Sequence, residues 1–215
     1  MQQPELVIFD CDGVLVDSEV IGNTIMAESL SAHGLEVSLE ECMDLFVGAT
    51  MAGVKTRAEQ LGACLPDDWV AQIYKVLYAR LRAGCPLIEG VVEVLDALDA
   101  AGMNYCVASN GSFEKMQITL GQNGILQRFG GRVYSAQALG TAKPAPELFW
   151  HAAQGVDHDR CVVIEDSLNG IRGAAAAGIR CLAYAPEGGD VEGAIRFGRM
   201  EELPVLLGLD SSTTS

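Results

Sequence analysis

Apolar and polar positions follow two different patterns along the chain. Four short, continuous apolar runs bounded by turn residues, Leu6 to Phe9, Tyr105 to Ala108, Cys161 to Ile164 and Cys181 to Tyr184, read as strands buried on both faces of a parallel sheet. Arg132 to Ser135 is a shorter fifth run that begins with a charge. Between the later runs the period is helical, and each helical stretch meets a glycine stop. Val91, Leu95 and Leu98 share a face before Gly102, Met116 and Leu120 share one before Gly124, and an alanine-rich stretch from Leu168 ends at Gly178. This alternation from about residue 86 onward predicts a doubly wound α/β fold.

From the end of the first run to residue 85 the pattern is helical only. Ser38 with Glu41 forms a capping box, and Trp69, Ile73, Val76, Leu77 and Leu81 line one face of a helix opened by Pro66 and Asp67. A helical block placed between the first strand and the rest of a sheet must lie outside that sheet. The expected organisation is therefore an α/β core of residues 1–17 and 86–215 with an inserted all-helical unit, 18–85, and with hinges at Asp17 and near residue 86. The tail beyond Leu209 reads as frayed.

Composition narrows the function classes. The 215 residues are 49% hydrophobic and 20% charged, with 24 Gly and 7 Pro spread along the chain, which excludes disordered and fibrous classes. Basic residues number 14 against 29 acidic ones, and the net charge of −15 would repel a phosphate backbone, so nucleic acid is not an expected partner. The seven cysteines are odd in number, never form C-x-x-C and sit mostly in apolar runs, as reduced thiols do. No basic, apolar leader and no long uncharged apolar run is visible. A cytoplasmic protein without membrane contact is expected, as a monomer or a small homo-oligomer.

Ligands of open α/β sheets bind beyond the carboxyl ends of the strands, and the polar residues there form a consistent set. Asp10-Cys11-Asp12-Gly13 follows the first strand, Ser109-Asn110-Gly111 the second, and Glu165-Asp166-Ser167 the run ending at Ile164, while Lys143-Pro144 opens the helix between. Four converging carboxylates require a counterion, and oxygen-only ligands suit a hard cation such as Mg²⁺. Lys143 and the backbone N–H groups after Ser109, those of Asn110 and Gly111, complete a cradle for phosphate. Asp10 and Asp12, two apart on leaving a strand, face one side while Cys11 turns into packing. One carboxylate can attack phosphorus and the other can move the proton. A lone D-x-D is ordinarily a turn, so the weight rests on the whole set. His33, His151 and His158 are isolated and read as surface or packing residues.

Leu-Val-Ile-Phe-Asp10-Cys-Asp12-Gly-Val-Leu-Val-Asp-Ser resembles the first motif of the haloacid dehalogenase superfamily. Val-Ala-Ser109-Asn-Gly resembles its second motif, Lys143-Pro-Ala-Pro-Glu-Leu-Phe its third and Val-Val-Ile-Glu165-Asp166-Ser-Leu-Asn-Gly its fourth, in order along nearly the whole chain. The resemblance implies a Rossmann-like core with an inserted α-helical cap, and a phosphatase acting on a small phosphorylated metabolite. It implies Asp10 as nucleophile and Asp12 as general acid and base. Ser109 and Asn110 would hold phosphoryl oxygens, Lys143 would offset charge, and Mg²⁺ would bind Asp10, Asp166 with Glu165, and the Asp12 carbonyl. Within the superfamily, Asp17-Ser-Glu-Val-Ile and Ser109-Asn-Gly followed by Lys115-Met-Gln resemble sugar-phosphate phosphatases of the 6-phosphogluconate phosphatase kind. Lys115, Gly48 and Thr50 are candidate substrate contacts on that basis. The related phosphosugar mutases carry a Lys and an Arg around the cap-loop glycine, whereas here the stretch is Val47-Gly48-Ala49-Thr50-Met51. A phospho-accepting signalling module, the rival of a different class, has no such insertion.

Overall fold

Strands covered on both faces must be apolar throughout, and Leu6–Phe9 (β1) is buried at every position, as is all but the first residue of Asn104–Ser109 (β2). Together with Val133–Ser135 (β3), Cys161–Glu165 (β4), Arg180–Tyr184 (β5) and Ile195–Phe197 (β6) they form a six-stranded sheet in the order β3-β2-β1-β4-β5-β6, with every pairing parallel. The computed structural model describes residues 3–46, 49–189 and 191–209. The order reverses between β1 and β4, and this is the switch point at which doubly wound folds bind ligands. Phe9 pairs with Val107 on one side and Ile164 on the other, so the residues just beyond these three strands emerge together.

The helices are Glu19–Ala32 (α1), Leu39–Phe46 (α2), Met51–Gln60 (α3), Trp69–Ala83 (α4), Val91–Ala100 (α5), Phe113–Gln122 (α6), Ala136–Leu139 (α7), Glu147–Ala153 (α8), Leu168–Ala177 (α9) and Leu203–Leu206 (α10). The chain divides into two compact units, Met1–Val16 with Pro86–Ser215, and Asp17–Cys85. In the first, Leu6, Ile8, Cys106 and Val163 of the sheet pack with Leu148, Phe149 and Ala152 of α8 and Ile171 and Ala174 of α9. In the second, α1 packs against α2 and α4, and Trp69, fully buried, donates its indole N–H to Ser29 Oγ at 2.9 Å.

Three details differ from the reading of the sequence. β6 is an additional strand, hidden from periodicity because it is short, with Ile195 and Arg196 both exposed at the sheet edge. Val76, assigned to the buried face of α4, is 54% exposed, since Ile73, Leu77 and Leu81 already complete that face. That helix begins at Trp69, whose N–H bonds to Pro66 O at 3.0 Å, so Pro66 and Asp67 belong to the preceding turn. The capping box forms: Ser38 N–H donates to Glu41 Oε2 and Glu41 N–H to Ser38 Oγ.

Candidate active site

Asp10 continues the β1 ladder by one residue, its N–H bonding to Ile164 O of β4 at 2.9 Å, and this fixes its side chain at the switch point. Residues 11–16 then turn tightly: Leu15 and Val16 N–H both bond to Cys11 O, and Gly13 N–H to Val16 O. Gly13 has φ +78°, and a Cβ there would stand 2.0 Å from Asp166 Oδ2. Only glycine lets the carboxylate from the end of β4 approach this turn so closely. Carboxylate oxygens of Asp10, Glu165 and Asp166 all lie within 4.8 Å of one another. Cys11 is buried, its Sγ 4.0 Å from Thr119 Oγ1, which puts it in packing as expected.

Lys143 lies at the centre of this group. Its Nζ is 2.6 Å from Asp10 Oδ1 and 2.5 Å from Glu165 Oε1, and its side chain is only 3% exposed. Burial disfavours the ammonium, yet the two adjacent carboxylates outweigh that and raise its pKa above the usual lysine range. The same ammonium stands 5.2 Å from the centroid of the Phe149 ring. Burial raises Asp10 to about 7; Lys143 opposes the rise, and the charges of Glu165 and Asp12 add to it. A carboxylate in this condition is short of positive charge even with a lysine beside it. An all-oxygen donor set with that deficit fits a hard divalent cation.

Glu165 lies within the acidic group, but both its oxygens are already engaged. Oε1 accepts from Lys143, and Oε2 accepts from the N–H groups of Asp166 and Ser167 and from Ser167 Oγ. It is wholly buried, and a Cβ on Gly170 would fall 1.8 Å from its carboxyl carbon. This arrangement makes Glu165 an anchor for Lys143 within the acidic group of Asp10, Glu165 and Asp166. Ser167 also caps α9, accepting from Gly170 N–H at 3.1 Å.

The loop after β2 is held from three directions. Ser109 Oγ accepts from Gly111 N–H at 2.9 Å, Gly111 O accepts from Ser135 Oγ at 2.7 Å, and Asn110 Oδ1 accepts from Lys143 N–H at 2.8 Å. Asn110 therefore contributes its side chain as a tie to Lys143 in addition to any role of its backbone. Ser135 was missed in the sequence, although it follows the same strand-end rule, pairing in register with Ser109.

The other expected contacts divide. Lys115, expected at the substrate, ion-pairs with Asp12, its Nζ 2.8 Å from Asp12 Oδ1. Thr50 caps α3, its hydroxyl accepting from Gly53 N–H at 3.1 Å, and Gly48 falls outside the described residues.

A family model described as haloacid dehalogenase-like hydrolase matches residues 4–178. The chain belongs to that family. It is 30% identical over 191 residues to the 6-phosphogluconate phosphatase of Escherichia coli strain K12, an alignment that covers 87% of this chain and 85% of that protein. It is 26% identical to hexitol phosphatase B of the same strain, over 84% of this chain and 83% of that one. A HAD family hydrolase from Deinococcus radiodurans R1, crystallised with bound phosphate and sodium, superposes with a TM-score of 0.80 at 30% identity, covering 99% of this chain and 100% of that one. The chain is thus an enzyme, grouped by these relatives with the phosphoric monoester hydrolases of the family. Among the described residues, no helix is long and apolar enough to cross a membrane.

Proposed function

We propose that the protein is a cytoplasmic Mg²⁺-dependent phosphatase that hydrolyses a small phosphorylated metabolite, a sugar or sugar acid phosphate, through an aspartyl-phosphate on Asp10. One observation carries this reading: a buried carboxylate with its pKa near 7, directly bonded to Lys143 and sharing an acidic group with Asp166, at the switch point of the sheet. The names of the phosphatase relatives support the class of ester.

Asp10 and Asp166 side chains, with the Asp12 carbonyl, would hold the cation, and Glu165 would stay on Lys143. When bound, Mg²⁺ would lower the proton affinity of Asp10 and draw charge from phosphoryl oxygens. Ser109 Oγ and the N–H groups of its loop orient the phosphoryl group, and Lys143 balances charge on the nucleophile. An Asp10 oxygen attacks phosphorus, the ester P–O bond breaks, and the departing alkoxide takes a proton from the Asp12 carboxyl group. Water then attacks the phosphorus, passing a proton to the Asp12 carboxylate. The Asp10–phosphorus bond breaks, inorganic phosphate leaves, and both side chains are restored. Selection of the ester falls to the helical unit, residues 17–85, where Gly48 and Thr50 remain the proposed contacts.

The test is release of inorganic phosphate from a panel of sugar phosphates, sugar acid phosphates, phosphoglycolate and nucleotides, with Mg²⁺ and with a chelator. Turnover of a sugar or sugar acid phosphate that chelation abolishes is expected. Turnover undiminished by chelation, or by Asp10→Asn, overturns the mechanism.

A further inference from the structure

Asp12 has two oxygens and, in the mechanism just proposed, one proton to move. Its Oδ1 is held by Lys115 Nζ at 2.8 Å, while its Oδ2 lies 3.5 Å from the point where a side chain on Gly111 would begin. The two oxygens therefore have different surroundings: one faces an ammonium and the other faces the loop of Ser109 to Gly111. Lys115 is itself placed firmly. It occupies the first turn of α6, where its N–H donates to the capping Ser112 Oγ at 3.0 Å and its carbonyl accepts from Thr119 Oγ1 at 3.1 Å. Its side chain is 19% exposed and that of Asp12 22% exposed, so the pair is neither sealed nor freely solvated. Thr119 is fully buried against Cys11, tying the helix to the turn that carries Asp12.

We infer that Lys115 is a positioning residue for Asp12 and not a substrate ligand. By clamping Oδ1, it assigns Oδ2 as the oxygen that gives and takes the proton over the phosphate-binding loop. This inference rests on the reading of Asp12 as the acid and base. Orientation of that kind matters most where the leaving group cannot depart without a proton, and little where it can.

Single-turnover and steady-state kinetics of the full chain with Mg²⁺ test it, in wild type, Lys115→Met, Lys115→Arg, Asp12→Asn and the double variant Asp12→Asn with Lys115→Met. Glucose 6-phosphate and 6-phosphogluconate serve as alkyl esters, and p-nitrophenyl phosphate serves as the ester with a stable leaving group. Lys115→Met is expected to lower kcat on the alkyl esters by about tenfold to a hundredfold. KM should stay within about twofold, and first-turnover release of p-nitrophenolate within about threefold, while Lys115→Arg recovers most of the loss. In the Asp12→Asn background, Lys115→Met should cost nothing further, because it acts through the missing carboxylate. A raised KM for 6-phosphogluconate with unchanged kcat would make Lys115 a substrate ligand and overturn the inference, as would losses that multiply in the double variant or no loss at all. If Asp12→Asn itself shows no leaving-group dependence, it is the underlying acid and base assignment that fails, and the inference falls with it.

Discussion

The same sheet carries a charged cluster at each end, and the two are built on opposite principles. At the amino end, Arg128 bridges Asp96 and Asp99 at 2.8 and 2.6 Å, and Tyr105 donates its hydroxyl to Asp99, but the two carboxylates are 66% and 53% exposed. At the carboxyl end, Lys143, Asp10 and Glu165 form a comparable bridge with side-chain exposures of 3%, 11% and 0%. Water shares the load of the first cluster, so each ion pair there contributes little. The second has given up its water and survives only because each charge has a partner, an arrangement that rarely improves stability over apolar packing. A fold that buries charge at one end of its sheet and solvates it at the other marks the buried end as the one kept for chemistry.

Substitutions at the two ends should separate this contrast into measurable parts. The largest effect belongs to Asp10→Asn, which should lower turnover by about 10⁴-fold or more while the thermal midpoint is unchanged or higher, because a desolvated carboxylate has been removed without loss of volume. A midpoint that drops sharply would mean that Asp10 serves the fold. Next comes Lys143→Met, which leaves two buried carboxylates without their cation and should cost about 3–5 kcal/mol in denaturant unfolding. Gly170→Ala should cost about 3 kcal/mol, since the new methyl group needs the space of the Glu165 carboxylate and displaces Lys143 with it. Its turnover should fall too, although Gly170 touches no reacting group. Smallest is Arg128→Met at the amino end, at about 1 kcal/mol or less, with ordinary kinetics. A loss there as large as that of Lys143→Met would erase the distinction between the two clusters.

Much of this was legible in the sequence, for identifiable reasons. A strand buried on both faces leaves an unbroken apolar run, so β1, β2, β4 and β5 were readable, whereas β6, with Arg196 at its centre and a sheet edge on one side, left no such trace. The strand-end rule found Asp10, Ser109, Glu165 and Asp166 as residues, because position beyond a strand is a property of order along the chain. It could not find their partners. That Glu165 is consumed by Lys143 and the α9 cap, that Asn110 reaches Lys143 through its side chain, and that Lys115 pairs with Asp12 all depend on rotamers and on which helix packs beside which turn. By its sequence Lys115 suits solvent or substrate equally; its pairing with Asp12 follows from the contact of α6 with the turn of residues 11–16.

The central place of β1 in the sheet has a consequence for biosynthesis. This strand is translated before the rest of its sheet, yet both of its flanks are hydrogen-bonded by segments translated much later, β2 on one side and β4 on the other. Until β4 arrives, one row of its peptide groups has no partner, and Asp10 lacks the neighbouring carboxylates of Glu165 and Asp166. A nascent chain stalled before Cys161 would therefore carry Asp10 without the rest of its acidic group, together with an open strand edge that invites pairing with other chains.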